Sequence, residues 1–399
     1  MTEEEVFEHE ATCFLERHAC PRAPEELRWG EGPEELTIFH ETTGAAEQRE
    51  VEEAKRWQAT RWQAGFGWIC GPPQYGGRGL PASFDRIYRS VEAGYAVADL
   101  SPLRIGLSTV GPSLVVNGSD VQIRRFAVGV HAGDIVACQL FSEPDAGSDL
   151  ANLKTRAVAD GKVWRLSGQK VWTSNAQFAD VGLALARTDP DAPQHRGLTA
   201  FLVPMDSVGV QVRPIRQLTG GASFNEVFLD DVEVADDLRV GATGEGWRVA
   251  LSTLSTERTA TGDRSHALTG RGFRLLRTLA RRQGQGDDPA VRQALAHLHA
   301  RLEVARYHQL RIQAAAYGEG EGPPRAMDKL LLAGNLQAIG EVAARLLGPK
   351  VAADTGEWGT YAWSRWLLGA TGYRLGGGTD EILKTMIAEK ALGLPRAPS

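Results

Sequence analysis

The period of the hydrophobic pattern changes twice along this chain of 399 residues. Up to about residue 134 the apolar side chains recur at helical spacing, most clearly from 81 to 98. Short β segments with turn signals follow, and long helical segments return after residue 236. Since this length exceeds what one hydrophobic core supports, we predict an α+β chain of three domains. Their predicted bounds are 1–134 (helical), 135–236 (β) and 237–399 (helical).

The individual elements follow from the same periodicity. Helices are predicted at 50–66, 81–98, 246–279, 289–317, 325–347 and after Thr379. Strands are predicted at 136–141, 154–159, 163–167, 181–186, 198–203, 208–212 and 226–234. The Asp160-Gly161 pair between the second and third of these strands is typical of a tight hairpin turn.

Charge and composition argue against several classes of function. The net charge of -6 and the pI near 5.9 disfavour nucleic-acid binding, which needs a basic surface. The N-terminus is acidic from Glu3 to Glu5, unlike a signal sequence, and we find no apolar run long enough to span a membrane. The four cysteines and nine histidines show no spacing typical of metal ligands. We therefore expect a cytoplasmic protein with reduced thiols and without a metal site, a nucleic-acid partner or a membrane partner.

Two neighbouring segments carry candidate ligand-binding residues. In the first, 138–149, a strand leads into a Pro- and Gly-containing loop that carries Ser142 and Ser148. Such a loop can present hydroxyls and backbone N–H groups to a polar ring or a phosphate, although the same residues make ordinary turns. The second segment, 168–175, contains Trp172, which equally suits a hydrophobic core. Each segment alone leaves both interpretations open.

Together and in this order, the two segments resemble the signature of the acyl-CoA dehydrogenase family. The resemblance covers roughly 60–396 through four further segments, 197–204, 224–232, 244–247 and 387–396. It implies a helical N-terminal domain, a central β-barrel or β-sandwich and a C-terminal four-helix bundle. It also implies an FAD-dependent enzyme that oxidises an acyl-CoA thioester to the trans-2-enoyl-CoA and passes the electrons to an electron-transfer flavoprotein.

The resemblance implies particular FAD contacts in the central domain. Ser142 would hydrogen-bond the pyrimidine side of the flavin ring, and Trp172 would lie beside the ring. Ser174 would offer a hydroxyl near the nitrogen that accepts hydride, where fixed donors stabilise the developing charge. Further contacts would come from the backbones of Gln139 and Phe141 and from Ser148, which the acyl-CoA would also contact.

A glycine-rich turn at 376–378 precedes the last predicted helix. Its glycines allow a ligand close to the backbone, and a helix N-terminus favours an anion, although simple capping by Thr379 is the alternative. The resemblance implies FAD contacts from Gly378, Thr379 and Glu381. Many family members also carry the catalytic base one residue before the Gly-Thr of this turn, where this chain has Gly377.

The missing carboxylate has a candidate replacement on the long helix. Abstraction of the α proton requires a base, and a second family pattern, similar to isovaleryl- and long-chain enzymes, places it within Leu-x-x-Glu-Arg. This chain has that pattern at 254–258, so we predict Glu257 as the base and Arg258 as an acyl-CoA contact. Without the resemblance, an exposed Glu-Arg pair explains the same residues. Gly376 and Gly377 leave volume that suits a branched, cyclic or bulky acyl group.

Departures from the family pattern leave the assembly open. The family's Arg-x-x-Phe-Gly and Gln-x-x-Gly-Gly-x-Gly segments complete the FAD site across a subunit interface, and neither is legible at 281–284 or 365–369. We expect a homodimer or homotetramer, with a hetero-oligomer as the alternative. Two other functions stay open: a half-site or non-catalytic subunit of a heteromeric dehydrogenase, and a flavin oxidase or monooxygenase on the same scaffold.

Overall fold

The chain forms two compact units in the computed structural model. The residues described are 1–23, 36, 38–39, 44–315, 323–352 and 360–396, without the side chains of 258–267, 315, 323 and 360–362. The first unit comprises Met1–Glu26, Thr42–Arg216 and Ala222–Thr253, and the second comprises Leu27–Glu41, Gln217–Gly221 and Leu254–Ser399. Helices, then a sheet, then helices follow along the chain, as expected of the α+β class. The domain bounds at 134 and 236 stay a prediction.

The N-terminal part of the first unit is helical. Its helices are α1 Glu3–His18, α2 Ala45–Gln63, α3 Ala82–Glu92, α4 Gly111–Asn117, α5 Asp120–Gln122 and α6 Val128–Ala132, with π-helical turns at Gly106–Val110 and Ile123–Ala127. A capping box between Thr2 and Glu5 begins α1. One core is built from large aromatic side chains, namely Phe7, Phe14, Trp57, Phe66, Phe84 and Tyr88. The helices are therefore held by the burial of their apolar faces.

Helix α3 is shorter than predicted. The helical pattern extends from 81 to 98, but the helix ends at Glu92, shortly before Gly94. The next residues, Tyr95–Ala96, form strand β2, which pairs with strand β1 at Cys20–Pro21. Glycine lowers helix propensity, and the tertiary pairing with β1 then decides the conformation of the residues that follow.

An eight-stranded sheet forms the rest of the first unit. Its strands are β3 Ala137–Leu140, β4 Arg156–Asp160, β5 Val163–Ser174, β6 Val181–Arg187, β7 Leu198–Pro204, β8 Val210–Ile215, β9 Phe224–Ala235 and β10 Arg239–Val240. Their order is β10-β7-β6-β4-β5-β9-β8, and β3 pairs with β6 in parallel. The predicted hairpin at Asp160-Gly161 is confirmed, with Gly161 at φ +65°. Strand β5 continues seven residues beyond the predicted end at 167, because β9 pairs with it as far as Ser174.

Long helices build the second unit. They are α7 Gly246–Arg282, α8 Pro289–Ala315, α9 Pro323–Leu347, α10 Thr360–Gly372 and α11 Asp380–Lys390. The first turns of α7 belong to the first unit. Their core is aliphatic and aromatic and includes Leu275, Leu279, Leu298, Leu336, Ile339, Trp363 and Trp366. Helix α10 was not predicted, because its aromatic residues and glycines have low helix propensity. Packing of its two tryptophans into the core stabilises it.

One helix of the second unit is long and apolar enough to cross a membrane by length and composition alone. It spans Pro324–Ala352, with a mean hydropathy of 1.3 in its most apolar window, and half of that window is buried. The expectation that no segment reaches this length was therefore wrong. The buried side chains Leu332, Leu336 and Ile339 lie in the core of the unit, which accounts for the apolar composition of the helix.

A buried histidine lies among the helices of the first unit. The imidazole of His131 stacks on the indole of Trp68, with ring centroids 4.0 Å apart and ring planes 9° apart. A Cβ on Gly111 would lie 3.1 Å from His131 Nε2, so a glycine is needed for this close approach. Burial lowers the pKa of His131 to about 3, and the ring is therefore neutral in the folded protein near neutral pH.

We expect acid to destabilise the protein through His131. Between pH 6.5, the ordinary pKa of the side chain, and about 3, the unfolded chain binds more protons than the folded chain. The free energy of unfolding therefore falls as the pH decreases through this window. His131→Phe removes the titration and should flatten the fall, measured by chemical denaturation at several pH values. His9→Phe, at an exposed position of α1, is the control. An equally steep fall in both variants would contradict the assignment.

Candidate functional site

A buried ion pair anchors the loop that follows β3. The Lys170 ammonium lies 2.8 Å from Glu143 Oε1 and donates a hydrogen bond of 3.1 Å to the Phe141 carbonyl. Both side chains are almost entirely buried, with 0% exposure for Lys170 and 6% for Glu143. The Val171 N–H donates to the Ser142 carbonyl at 2.9 Å. Phe141 and Ser142 are therefore fixed against β5, the strand that carries Lys170.

The ion pair keeps both groups charged against the effect of burial. Burial alone would raise the pKa of Glu143, but the Lys170 ammonium and the backbone N–H groups of Lys154 and Thr155 bring that pKa below its usual range. Burial lowers the pKa of Lys170 to about 8, and the Glu143 carboxylate opposes this shift. Since each charge compensates the other, loss of either would leave a buried charge alone.

Trp172 lies in an irregular part of β5. The register between β5 and β9 shifts between Lys170 and Thr173, as at a β-bulge, and Trp172 adopts φ +61°. A positive φ is uncommon for a large non-glycine residue and is a form of local strain. The indole is 60% exposed and contacts only the edge of Phe224 among the rings described, with centroids 6.2 Å apart. A bulge that turns a large aromatic face outward is suited to stacking on a planar ligand.

The other predicted contacts in the first unit fall into two groups. Gln139 lies on β3 opposite Leu183, and Ser174 ends β5 opposite Phe224, so both lie on strands of the same sheet. Ser148 lies at an exposed position between β3 and β4, just before a 3-10 helix at Leu150–Asn152. The structure thus brings Phe141 and Ser142 together with β5.

The second unit places Glu257 beside the glycine-rich turn. A Cβ built on Gly377 would lie 3.8 Å from Glu257 Oε1. The position where many family members carry the base is therefore next to the carboxylate that this chain supplies from α7. The backbone of Arg258 belongs to α7, but its side chain lies outside the described residues, so the predicted acyl-CoA contact stays a prediction.

Side chains at the start of α11 hold the same turn. The Thr379 hydroxyl accepts a hydrogen bond of 3.2 Å from the Ile382 N–H and so caps α11. Helix capping was the alternative to FAD contact in the sequence analysis of this residue. Asp380 is buried and forms an ion pair of 2.8 Å with Arg374 and one of 3.6 Å with Lys329. Glu381 is exposed in the first turn. Asp380 therefore serves the structure, and Glu257 is the carboxylate that lies beside Gly377.

Sequence reasoning missed the charged residues that position these loops. Glu143 lies in the segment 138–149, Lys170 in the segment 168–175 and Lys329 in the predicted helix 325–347. The sequence analysis predicts no function for any of the three. The sequence offers little signal here, because Lys170 has polar neighbours and Lys329 follows Asp328. A lysine is rarely buried without a partner, but burial itself is not visible in such segments. Which carboxylate pairs with it depends on the fold.

We expect Lys170→Met to destabilise the protein by about 3 kcal/mol, since it leaves the Glu143 carboxylate buried without a counter-charge. Lys154→Met is the matched control, because the Lys154–Asp145 pair is largely exposed, with 72% and 78% of the side chains accessible. Its loss should cost less than about 1 kcal/mol. Urea denaturation of both variants measures the difference. Equal losses in the two variants would show that the buried pair has no special role.

Comparison with known families gives two matches along the chain. Residues 138–232 match the family model described as the middle domain of acyl-CoA dehydrogenase. Residues 244–392 match the model described as the C-terminal domain of acyl-CoA dehydrogenase. The first match includes Glu143, Lys170 and Trp172, and the second includes Glu257 and the glycine-rich turn.

Individual relatives resemble nearly the whole chain. The acyl-CoA dehydrogenase IpdE1 of Mycobacterium tuberculosis is 38% identical over 351 residues, which cover 88% of this chain and 90% of the relative. The solved structure titled Tcur3481-Tcur3483 steroid ACAD has a TM-score of 0.77 at 28% identity and covers 98% of this chain and 97% of its own. The ChsE4-ChsE5 complex from Mycobacterium tuberculosis has a TM-score of 0.76 at 26% identity, with coverages of 100% and 99%.

Proposed function

Because this chain belongs to the acyl-CoA dehydrogenase family, whose cofactor is FAD, we propose that it oxidises a bulky, ring-bearing acyl-CoA to the trans-2-enoyl-CoA with Glu257 as the base. The proton would pass from Cα to the Glu257 carboxylate while a hydride, which carries the two electrons of its C–H bond, leaves Cβ. Bound FAD would supply the hydride acceptor, and an electron-transfer flavoprotein would take the electrons onward. The observation that carries the proposal is the 3.8 Å between Glu257 Oε1 and a Cβ at Gly377.

The residues of the first unit suit a flavin. Trp172 presents an exposed indole on a strained bulge, and such a ring suits the flat flavin system. Ser142 and Ser174 supply hydroxyl donors, with backbone groups of Gln139 and Phe141 beside them. The buried ion pair behind this loop keeps the donors in place, and fixed donors stabilise developing negative charge without reorganisation.

Glu257 is supported by its position and by the engagement of Asp380 elsewhere. Gly377 has no side chain, so the turn itself provides no carboxylate where many family members have one. The half-buried Glu257 lies next to that position, while Asp380 is engaged by Arg374 and Lys329. A carboxylate held in a partly water-poor site is suited to remove a proton next to a thioester carbonyl.

We expect Glu257→Gln to fold, to retain FAD and to bind acyl-CoA, but to reduce its flavin at least roughly a hundredfold more slowly, because an amide cannot accept the proton. Anaerobic stopped-flow absorbance of the flavin measures this rate. Glu341→Gln, on an exposed face of α9, is the matched control and should keep the native rate.

A near-native rate of flavin reduction by Glu257→Gln with a true substrate would contradict the assignment of Glu257 as the base. Glu381→Gln should then be tested, because Glu381 is the nearby carboxylate exposed at the start of α11. Asp380→Asn is a poor comparison, since it also removes the buried ion pairs and is expected to destabilise the second unit.

The ring-bearing substrate is inferred from the glycines and from the relatives. Among the described residues, a Cβ on Gly376 would meet the Gly372 carbonyl oxygen alone, at 3.7 Å, so this side of the turn has room for a large group. One of the structural relatives is titled a steroid ACAD. A polycyclic acyl group, of the steroid type, is consistent with both observations.

We expect polycyclic acyl-CoAs to have a higher kcat/KM than straight-chain acyl-CoAs of equal carbon number. Gly376→Tyr fills the proposed space and should lower kcat/KM for the polycyclic substrates at least about tenfold, as removal of several favourable contacts does. Straight-chain substrates should change less than about threefold and serve as the internal control. Steady-state assays with both substrate classes make the measurement. A native enzyme that clearly prefers straight chains contradicts this part of the proposal.

A second candidate is that the chain is one subunit of a heteromeric dehydrogenase. The family segments that reach the FAD of a neighbouring subunit are not legible at 281–284 and 365–369. Each of the two structural relatives combines two proteins in its name, Tcur3481-Tcur3483 and ChsE4-ChsE5. If the chain purified alone stays colourless after incubation with FAD, and binds FAD only with a sister chain of the same family, this candidate is favoured. A homo-oligomer that holds FAD and reduces it with acyl-CoA excludes it.

A further inference from the structure

A buried lysine of α9 contacts the backbone of the glycine-rich turn. The Lys329 side chain is only 3% exposed, and its ammonium donates a hydrogen bond of 2.8 Å to the Gly378 carbonyl. Its distance to the nearer oxygen of Asp380 is longer, 3.6 Å. The shortest contact of this buried charge is therefore to the main chain of the turn, although a carboxylate lies close by.

The Asp380 carboxylate has a second, closer cation. Arg374 Nε lies 2.8 Å from Asp380 Oδ2, and the Asp380 N–H donates to the Arg374 carbonyl at 3.1 Å. Arg374 thus engages Asp380 Oδ2 within the sequence that surrounds the turn, whereas Lys329 lies near Oδ1 and reaches the turn from another helix. If Lys329 served only to neutralise Asp380, its ammonium would not need to approach the Gly378 carbonyl.

The two glycines of the turn contribute no side-chain contacts of their own. Gly377 and Gly378 have φ of +69° and +92°, and neither has a side chain that could hold this conformation by packing. The same turn carries the position 3.8 Å from Glu257 Oε1. A small displacement of the turn would therefore change the surroundings of the proposed base directly.

We propose that Lys329 is a positioning residue for the dehydrogenation, which holds the Gly377-Gly378 turn beside Glu257 through its hydrogen bond to the Gly378 carbonyl. This inference rests on the proposed function of Glu257. Lys329 itself neither binds the acyl-CoA nor exchanges a proton with it. Its effect is on the geometry in which Glu257 meets the substrate, and misplacement of about 1 Å can slow a reaction by up to about a hundredfold.

The test uses the FAD-loaded protein and Lys329→Met, which removes the donor and the charge. We expect the rate of anaerobic flavin reduction to fall at least about tenfold, while the FAD content stays native and the Kd of acyl-CoA changes less than about threefold. Lys329→Arg keeps a cationic donor and should recover most of the rate. Lys384→Met, at an exposed position of α11, is the matched control and should keep the native rate.

A double-mutant cycle with Glu257→Gln separates positioning from a general structural effect. If Lys329 acts through Glu257, Lys329→Met should slow flavin reduction less than about twofold further in the Glu257→Gln background. If Lys329→Met does not fold, Lys329→Gln takes its place under the same criteria, because its amide is one atom shorter and cannot make the same hydrogen bond.

Two results would overturn the inference: a native reduction rate without Lys329, or an equal loss of rate in both backgrounds. A native rate for Glu257→Gln alone would instead overturn the proposed base.

Discussion

The ion pair between Glu143 and Lys170 is the interaction on which the proposed FAD-contacting part of the first unit depends. Removing the two charges from water costs desolvation free energy. Their contact at 2.8 Å offsets this cost because each charged group also forms further hydrogen bonds. Glu143 accepts from two backbone N–H groups of the next segment, and Lys170 donates to the Phe141 carbonyl. The pair therefore joins the loop after β3, the start of the following segment and β5 in one rigid arrangement.

The second unit uses a similar arrangement at a different place. Lys329 is buried, lies near a carboxylate and donates to a backbone carbonyl of a loop, as Lys170 does. In both units the loop held in this way carries residues with a proposed role, Ser142 as an FAD contact in one and the Gly377 turn beside Glu257 in the other. A buried lysine can fix a backbone carbonyl strongly because a charged donor forms a shorter and stronger hydrogen bond than a neutral one. Rigid placement of such groups is what catalysis by fixed dipoles and carboxylates requires.

Glycine links the proposed base on α7 with the proposed bulky acyl group. A carboxylate on α7 makes a carboxylate on the turn unnecessary, and the turn can then be built from glycines with positive φ. Those glycines also leave space where a side chain would otherwise stand. The glycines of the turn thus support both the assignment of Glu257 and the proposal of a bulky acyl group, and separate variants distinguish the two.

The sequence by itself determined the helix–sheet–helix order of the chain, the hairpin at Asp160-Gly161 and, through the resemblance of its motifs, the family. Periodicity and short motifs report local conformation, and the same resemblance gives Glu257 as the predicted base where Gly377 lacks a carboxylate. Only the tertiary structure decided where α3 ends, that β5 continues through a bulge to Ser174, and that Lys170 and Lys329 are buried. Each of these depends on which distant segment packs against a residue. The pattern of a segment shows that one of its faces is buried, but it does not show which other segment covers that face.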